Sequence, residues 1–144
     1  MVVGKMYTKL VVQRKNARRT AQALVDTGSS VTVLSKLLAD VLGIKTRATD
    51  YLDIAGERNE VCYRRVDLHI PGTDCFVENM RVAVIVREED DFPTILGADF
   101  LQRTGAFLDF RKGRHAIGAD PNGRDPHPPI VVRPKPIRFR SNGA

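Results

Sequence analysis

The residue best placed to do chemistry is Asp26, together with the hydroxyls beside it. In Ala23-Leu24-Val25-Asp26-Thr27-Gly28-Ser29-Ser30-Val31-Thr32-Val33-Leu34-Ser35 an apolar run delivers one carboxylate into a Gly/Ser turn, and apolar β-branched residues follow at once. Gly28 permits a close or strained backbone path. Thr27, Ser29 and Ser30 place hydroxyls within reach of the carboxylate. A carboxylate held this way suits proton transfer to or from a reacting group. A strand ending in a solvated Asx or Ser/Thr turn accounts for the same residues taken alone, so the surroundings must decide.

A second informative stretch is Pro93-Thr94-Ile95-Leu96-Gly97-Ala98-Asp99-Phe100-Leu101-Gln102-Arg103-Thr104-Gly105. Two bulky apolar residues, Ile95 and Leu96, precede a glycine that lets another backbone segment pass close by. A short amphipathic helix follows and stops at Gly105. Other chemistry is thinly supplied. Cys62 and Cys75, thirteen positions apart, match neither a CxxC redox pair nor a zinc spacing and read as reduced thiols. His69, His115 and His127 are scattered, so neither a metal site nor a cofactor is expected.

These residues need a scaffold, and the pattern predicts a mainly β one. Residues 6–13 are rich in strand formers, Arg14 to Arg19 is a charged turn, and Thr20 to Val25 ends at Asp26. Ser35 is placed to cap a short helix over 36–42, with Leu37, Leu38, Val41 and Leu42 as its apolar face and Gly43 as its exit. Tyr51 to Ile54, a turn over Ala55-Gly56-Glu57-Arg58-Asn59, and Glu60 to Tyr63 make a hairpin with small residues at its tip and few aliphatics. Such a hairpin is a candidate cover over a site, or an ordinary surface hairpin. Val66, Leu68 and Ile70 alternate with polar residues, and Pro71 to Asp74 turns the chain. Met80, Val82, Val84 and Val86 alternate with Ala83 and Ile85, which implies burial on both faces. Arg87 to Asp91 is a charged loop, and 106–110 with 115–117 read as a last hairpin. About eight short strands and two short helices result, with no internal repeat.

At 144 residues the chain suits one domain with a real core. Its net charge of +6 is uneven: residues 121–144 carry Arg124, Arg133, Lys135, Arg138 and Arg140 against Asp125 alone. The same segment holds six of the eight prolines, a density that prevents regular helix or central strand. The expected organisation is therefore a domain over 1–119 and a Pro-rich basic tail over 120–144, disordered or extended. The tail is either a linker or a contact for an acidic partner or nucleic acid. No run approaches the ~18 apolar residues of a membrane span. Met1-Val2-Val3-Gly4-Lys5 lacks a signal peptide's apolar core, so a cytoplasmic protein is expected.

An apolar run into Asp26-Thr27-Gly28-Ser29-Ser30, then a flap-like hairpin, then Ile95-Leu96-Gly97-Ala98-Asp99-Phe100-Leu101, resembles the retropepsin-like aspartic proteases, the single-lobed relatives of pepsin. The likeness covers roughly residues 6–118 and implies a closed β-barrel of the acid-protease lobe with two short helices. By position it implies that Asp26 is the catalytic aspartate and that Thr27, Gly28 and Ser29 support its loop, with Ser29 hydrogen-bonding the outer carboxylate oxygen. Ile54, Ala55 and Gly56 fall at the flap tip, and Ile95, Leu96 and Gly97 form the segment threading behind the loop. The tip departs from the Gly-rich flap of the retroviral enzymes, since Gly56 is its only glycine.

The resemblance implies an aspartic endopeptidase in which one water is activated between two carboxylates that share a proton, because adjacent negative charges repel. Only one such Asp is present in this chain. The active form implied is a homodimer with both Asp26 side chains at the two-fold axis, cutting peptide substrates under acidic to mildly acidic conditions. The alternative is a module of the same fold that binds peptides as an adaptor without turnover. Nucleic acid enters as a partner only through the basic tail.

Overall fold

In the computed structural model, residues 6–87 and 92–106 are described with their side chains, and 108–109 and 116–117 by their backbone. The tail expected over 120–144 and the loop residues 88–91 lie outside the described residues. Strand β1 (Met6–Arg14) pairs antiparallel with β2 (Ala17–Val25) around Lys15-Asn16, the last pair being Arg14 with Ala17. The turn is thus shorter than the charged segment predicts, and β2 begins three residues before Thr20. Next come β3 (Val33–Leu34), α1 (Lys36–Val41), β4 (Asp50–Ile54) and β5 (Glu57–His69). After them follow β6 (Phe76–Ile85), β7 (Thr94–Leu96), α2 (Ala98–Thr104), β8 (Leu108–Asp109) and β9 (Ala116–Ile117), the last two strands pairing with each other.

The strand order β1-β2-β7-β3-β6-β5, with β5 returning to β1 through Val11–His69 and Val12–Leu68, closes a six-stranded barrel. β4 stands outside it, paired only with the first part of β5. Closure leaves no unpaired edge in the barrel itself. The connections are mostly antiparallel, but β2 runs parallel to β7 and β3 parallel to β6. β7 is therefore laid between the two strands that flank the Asp26 turn.

Alternation along the strands sorts the apolar residues onto two faces. Leu10, Val12, Leu34, Leu68, Val84 and Leu96 point into the barrel with Phe100 of α2. Val33, Val61, Ala83, Ile85 and Ile95 form a second, outer cluster, against which Leu52 and Ile54 of β4 and Val31, Tyr63 and Phe92 pack. Val82 to Ile85 are all buried, so β6 is covered on both faces as its composition predicts. Each of the valines and Ile85 contributes roughly 1.5–3 kcal/mol on full burial. Cys62 and Cys75 are free thiols inside the barrel.

Ser35 caps α1, its Oγ accepting from Leu38 N–H at 3.2 Å. The helix is turned differently from the expected apolar face: Leu38, Ala39 and Leu42 are buried, whereas Leu37 and Val41 are 56% and 45% exposed. Small Ala39 sits fully buried against the barrel, and that rotation carries Leu37 and Val41 outward. No helix among the described residues is long and apolar enough to cross a membrane.

Candidate active site

Asp26 leaves the end of β2 in register with β7, its backbone N–H donating to Leu96 O at 3.0 Å. The turn then closes on itself: Ser29 N–H donates to Asp26 O at 3.1 Å, and Gly28 N–H to Asp26 Oδ1 at 2.9 Å. A Cβ at Gly28 would stand 3.2 Å from that Oδ1. A side chain there would press on the carboxylate, so glycine keeps the bond that aims it. Asp26 is half-buried, while Thr27 and Gly28 are exposed beside it. Ser29 differs from expectation. Its hydroxyl donates to Val31 O at 2.7 Å instead of to the carboxylate, and a serine has a single O–H to give. In the single chain it stiffens the far limb of the turn.

Behind the turn runs Ile95-Leu96-Gly97. Gly97 is pressed so closely against the loop that a Cβ would lie 2.4 Å from Val31 O and 2.9 Å from Ser29 O. No side chain fits at those distances. The approach lets Ala98 N–H donate to Ser29 O at 2.7 Å and Gly97 N–H to Thr32 Oγ1 at 3.0 Å. Thr32, fully buried, donates its hydroxyl hydrogen bond to Asp99 Oδ1 at 2.8 Å, and its N–H donates to Asp99 Oδ2 at 3.1 Å. Asp99 also accepts from Phe100 N–H at 2.8 Å. It is a loop anchor, with both oxygens engaged. Sequence reading singled out neither Thr32 nor Asp99 for this task. The signal available was Asp99 in the first turn of a helix whose N-cap, Gly97, has no side chain.

The hairpin of β4 and β5 turns through two residues only. Ala55 (φ 52°) and Gly56 (φ 82°) are both left-handed between the closing pair Ile54 and Glu57, the pattern of a type I′ turn. The five-residue turn expected over 55–59 is therefore absent, and β5 runs unbroken from Glu57 to His69. Ile54 is half-buried on the outer apolar cluster, and Ala55 and Gly56 are exposed at the tip. Asn59, also unforeseen, is 2% exposed; its Nδ2 donates to Glu57 O at 3.0 Å, and its Oδ1 is buried without a hydrogen-bond partner among the described residues.

The site thus joins a carboxylate aimed from a hydrogen-bonded turn, the half-buried Val31 beside it, and a hairpin packed on the buried cluster of Val33, Ile85 and Ile95. Among the described residues no group of three or more His, Cys, Asp or Glu is placed to hold a metal.

Six closed strands, with a hairpin outside them and a helix behind the Asp26 turn, define the retropepsin-like fold. The chain superposes on EIAV protease complexed with the inhibitor HBY-793 with a TM-score of 0.55 at 23% identity, covering 73% of this chain and 92% of that one. A retropepsin-like aspartic protease from Rickettsia conorii gives 0.55 at 24% identity, over 69% and 79% of the two chains. The retroviral protease-like domain of Ddi1 from Leishmania major gives 0.56 at 20% identity, over 81% and 90%. No curated protein matches the sequence closely enough to count as a relative. Residues 12–103 match the family described as "gag-polyprotein putative aspartyl protease". The chain belongs to that family of retropepsin-like aspartic proteases.

Proposed function

We propose that the protein is an aspartic endopeptidase active as a homodimer, in which the Asp26 carboxylates of two copies activate one water. The observation that carries this reading is the state of the carboxylates around the turn. Asp26 is aimed by a single backbone N–H and stays open to the cleft, whereas Asp99, the nearest alternative in sequence to the threading segment, has both oxygens bound to Thr32 and Phe100. One chain therefore supplies one reacting carboxylate, and a symmetric partner supplies its counterpart. The pair holds one proton. The ionised member takes a proton from water as it attacks the scissile carbonyl, and the protonated member donates toward the carbonyl oxygen. The gem-diol collapses as the nitrogen is protonated, so no acyl-enzyme forms. Thr27 and Gly28 support the carboxylate. Ile54, Ala55 and Gly56 close on an extended peptide, whose backbone pairs in strand fashion and whose side chains meet the half-buried Val31.

Asp26→Asn tests it. That variant should lose peptide cleavage entirely while its melting temperature and sedimentation stay those of the parent. Mixed in equal amounts with the parent at fixed total protein, it should leave about a quarter of the activity, since only parent–parent dimers carry two carboxylates. Loss in proportion to the diluted parent alone would point to an active monomer. A dimer that binds peptides and releases no products would point to the adaptor instead.

A further inference from the structure

The pairing register carries the Asp26 row further than the cleft. Leu24 pairs with Ile95, Ile95 with Val33, Val33 with Ala83, and Ala83 with Tyr63. These residues share the outer face. Two residues on from each, counted forward on β2, β7 and β5 and backward on β3 and β6 as the pairing directions require, stand Asp26, Gly97, Val31, Arg81 and Arg65, the last two being direct partners. Two guanidinium residues therefore stand on the same face and in the same row as the carboxylate. Three strand spacings, about 14 Å along the sheet, separate Asp26 from Arg81.

Arg65 and Arg81 are opposed like charges, an arrangement that costs stability. Neither has a carboxylate within ion-pair distance among the described residues. The nearest acidic residue on that face of β5, Asp67, accepts from Asn79 N–H at 2.8 Å through Oδ1. Both arginines are nevertheless held. The Arg81 guanidinium lies 3.7 Å from the centroid of the Tyr63 ring, itself packed on the apolar cluster. Arg65 donates to Asn79 O at 2.9 Å. That carbonyl is presented by Asn79 at φ 55°, opposite the register shift between Val66 and Leu68. Bulges of this kind commonly re-aim side chains near sites. Two exposed cations fixed by stacking and by a local backbone device, with no counter-ion among the described residues, are pre-organised for an external anion.

We propose that Arg81, backed by Arg65, forms a cationic subsite in line with Asp26 that takes an acidic side chain of the bound peptide. An extended chain following the row advances ~3.4 Å per residue, so the acidic residue falls about four residues from the scissile bond. The inference rests on the proteolytic reading and concerns the specificity of the same cleft.

The test is a mixed peptide library cut by the full chain, followed by matched peptides carrying Glu, Gln or Lys at the third to fifth positions from the bond cleaved. Glu should be favoured over Gln by about three- to tenfold in kcat/KM, mainly through KM, with the preference fading as salt is raised. Arg65→Gln/Arg81→Gln should bring Glu and Gln within about twofold, and Arg65→Glu/Arg81→Glu should favour Lys, a gain that misfolding cannot mimic. Cleavage with no acidic preference there, or with one that these variants leave in place, overturns the subsite while the proteolytic reading stands. Absence of cleavage by the parent overturns the proteolytic reading. The subsite is then judged on binding of the same labelled peptides to the parent chain, where equal affinity for Glu and Gln peptides overturns it as well.

Discussion

The turn carrying Asp26 and the tip of the hairpin at Ala55-Gly56 are both short Gly-containing reversals, yet they are held in different ways. Around Asp26 the backbone is tied to β7 and α2 from behind. Leu96 O, Ser29 O, Thr32 Oγ1 and both Asp99 oxygens each hold a defined partner. The hairpin tip has the ladder of β4 with β5, the apolar contact of Leu52 and Ile54 beneath it, and exposed side-chain contacts, Arg58 over the Tyr51 ring and Glu57 with Arg87 at 3.7 Å, that tie nothing to the barrel interior. Its own geometry is strained, because Ala55 occupies a left-handed conformation that disfavours a Cβ by roughly 1–2 kcal/mol. Under the proposed activity the difference answers two demands on one site: a reacting carboxylate must hold its place to a fraction of an ångström, and a cover must lift to admit a chain.

Gly97→Ala strikes the fixed region hardest. With the added carbon placed 2.4 Å from Val31 O, the loop must move, and the expected cost is about 3 kcal/mol in denaturant unfolding, with cleavage lost. An alanine variant as stable as the parent would mean that the threading segment does not brace the turn. Asp99→Ala should cost about 2 kcal/mol by leaving Thr32 N–H and its hydroxyl without their acceptor. Asp99→Asn, which keeps one acceptor oxygen, should recover about half of that. Hydrogen exchange sharpens the contrast without a mutation. Amides of Asp26, Thr32 and Ala98 should exchange at least ~100-fold more slowly than those at 55–58, reflecting local opening of the hairpin; equal protection would erase the distinction. The smallest effect has the opposite sign. Ala55→Gly should change stability by no more than about 1 kcal/mol, toward greater stability, because relief at positive φ outweighs the added freedom of the unfolded chain.

Local pattern made a good part of this molecule legible. Period-two alternation marked the strands. Ser35 signalled its helix. The order of Asp26-Thr27-Gly28 before Ile95-Leu96-Gly97 signalled a carboxylate turn with a segment packed behind it. Errors gathered where neighbours decide. The hairpin tip shrank to Ala55-Gly56 because strand pairing outbids a run of polar residues that reads as a loop. Leu37 and Val41 met solvent because the barrel surface, not helical spacing, selects which stripe of α1 it covers. The Ser29 hydroxyl donates its hydrogen bond to Val31 O, an acceptor brought near only by the fold of the turn.

What the sequence determined by itself is therefore local: which segments extend, where the chain turns, and that one acidic residue is delivered by an apolar strand into a glycine turn. Tertiary structure decided everything that depends on register between distant strands. Thr32 and Asp99 meet across 67 positions of chain. Arg81 and Arg65 share a row with Asp26 only because β2 runs parallel to β7 and β3 parallel to β6. A slip of one residue in any of those pairings would send the side chains to the opposite face. Periodicity says that a residue alternates; only packing of the two apolar faces says with which partner it is aligned.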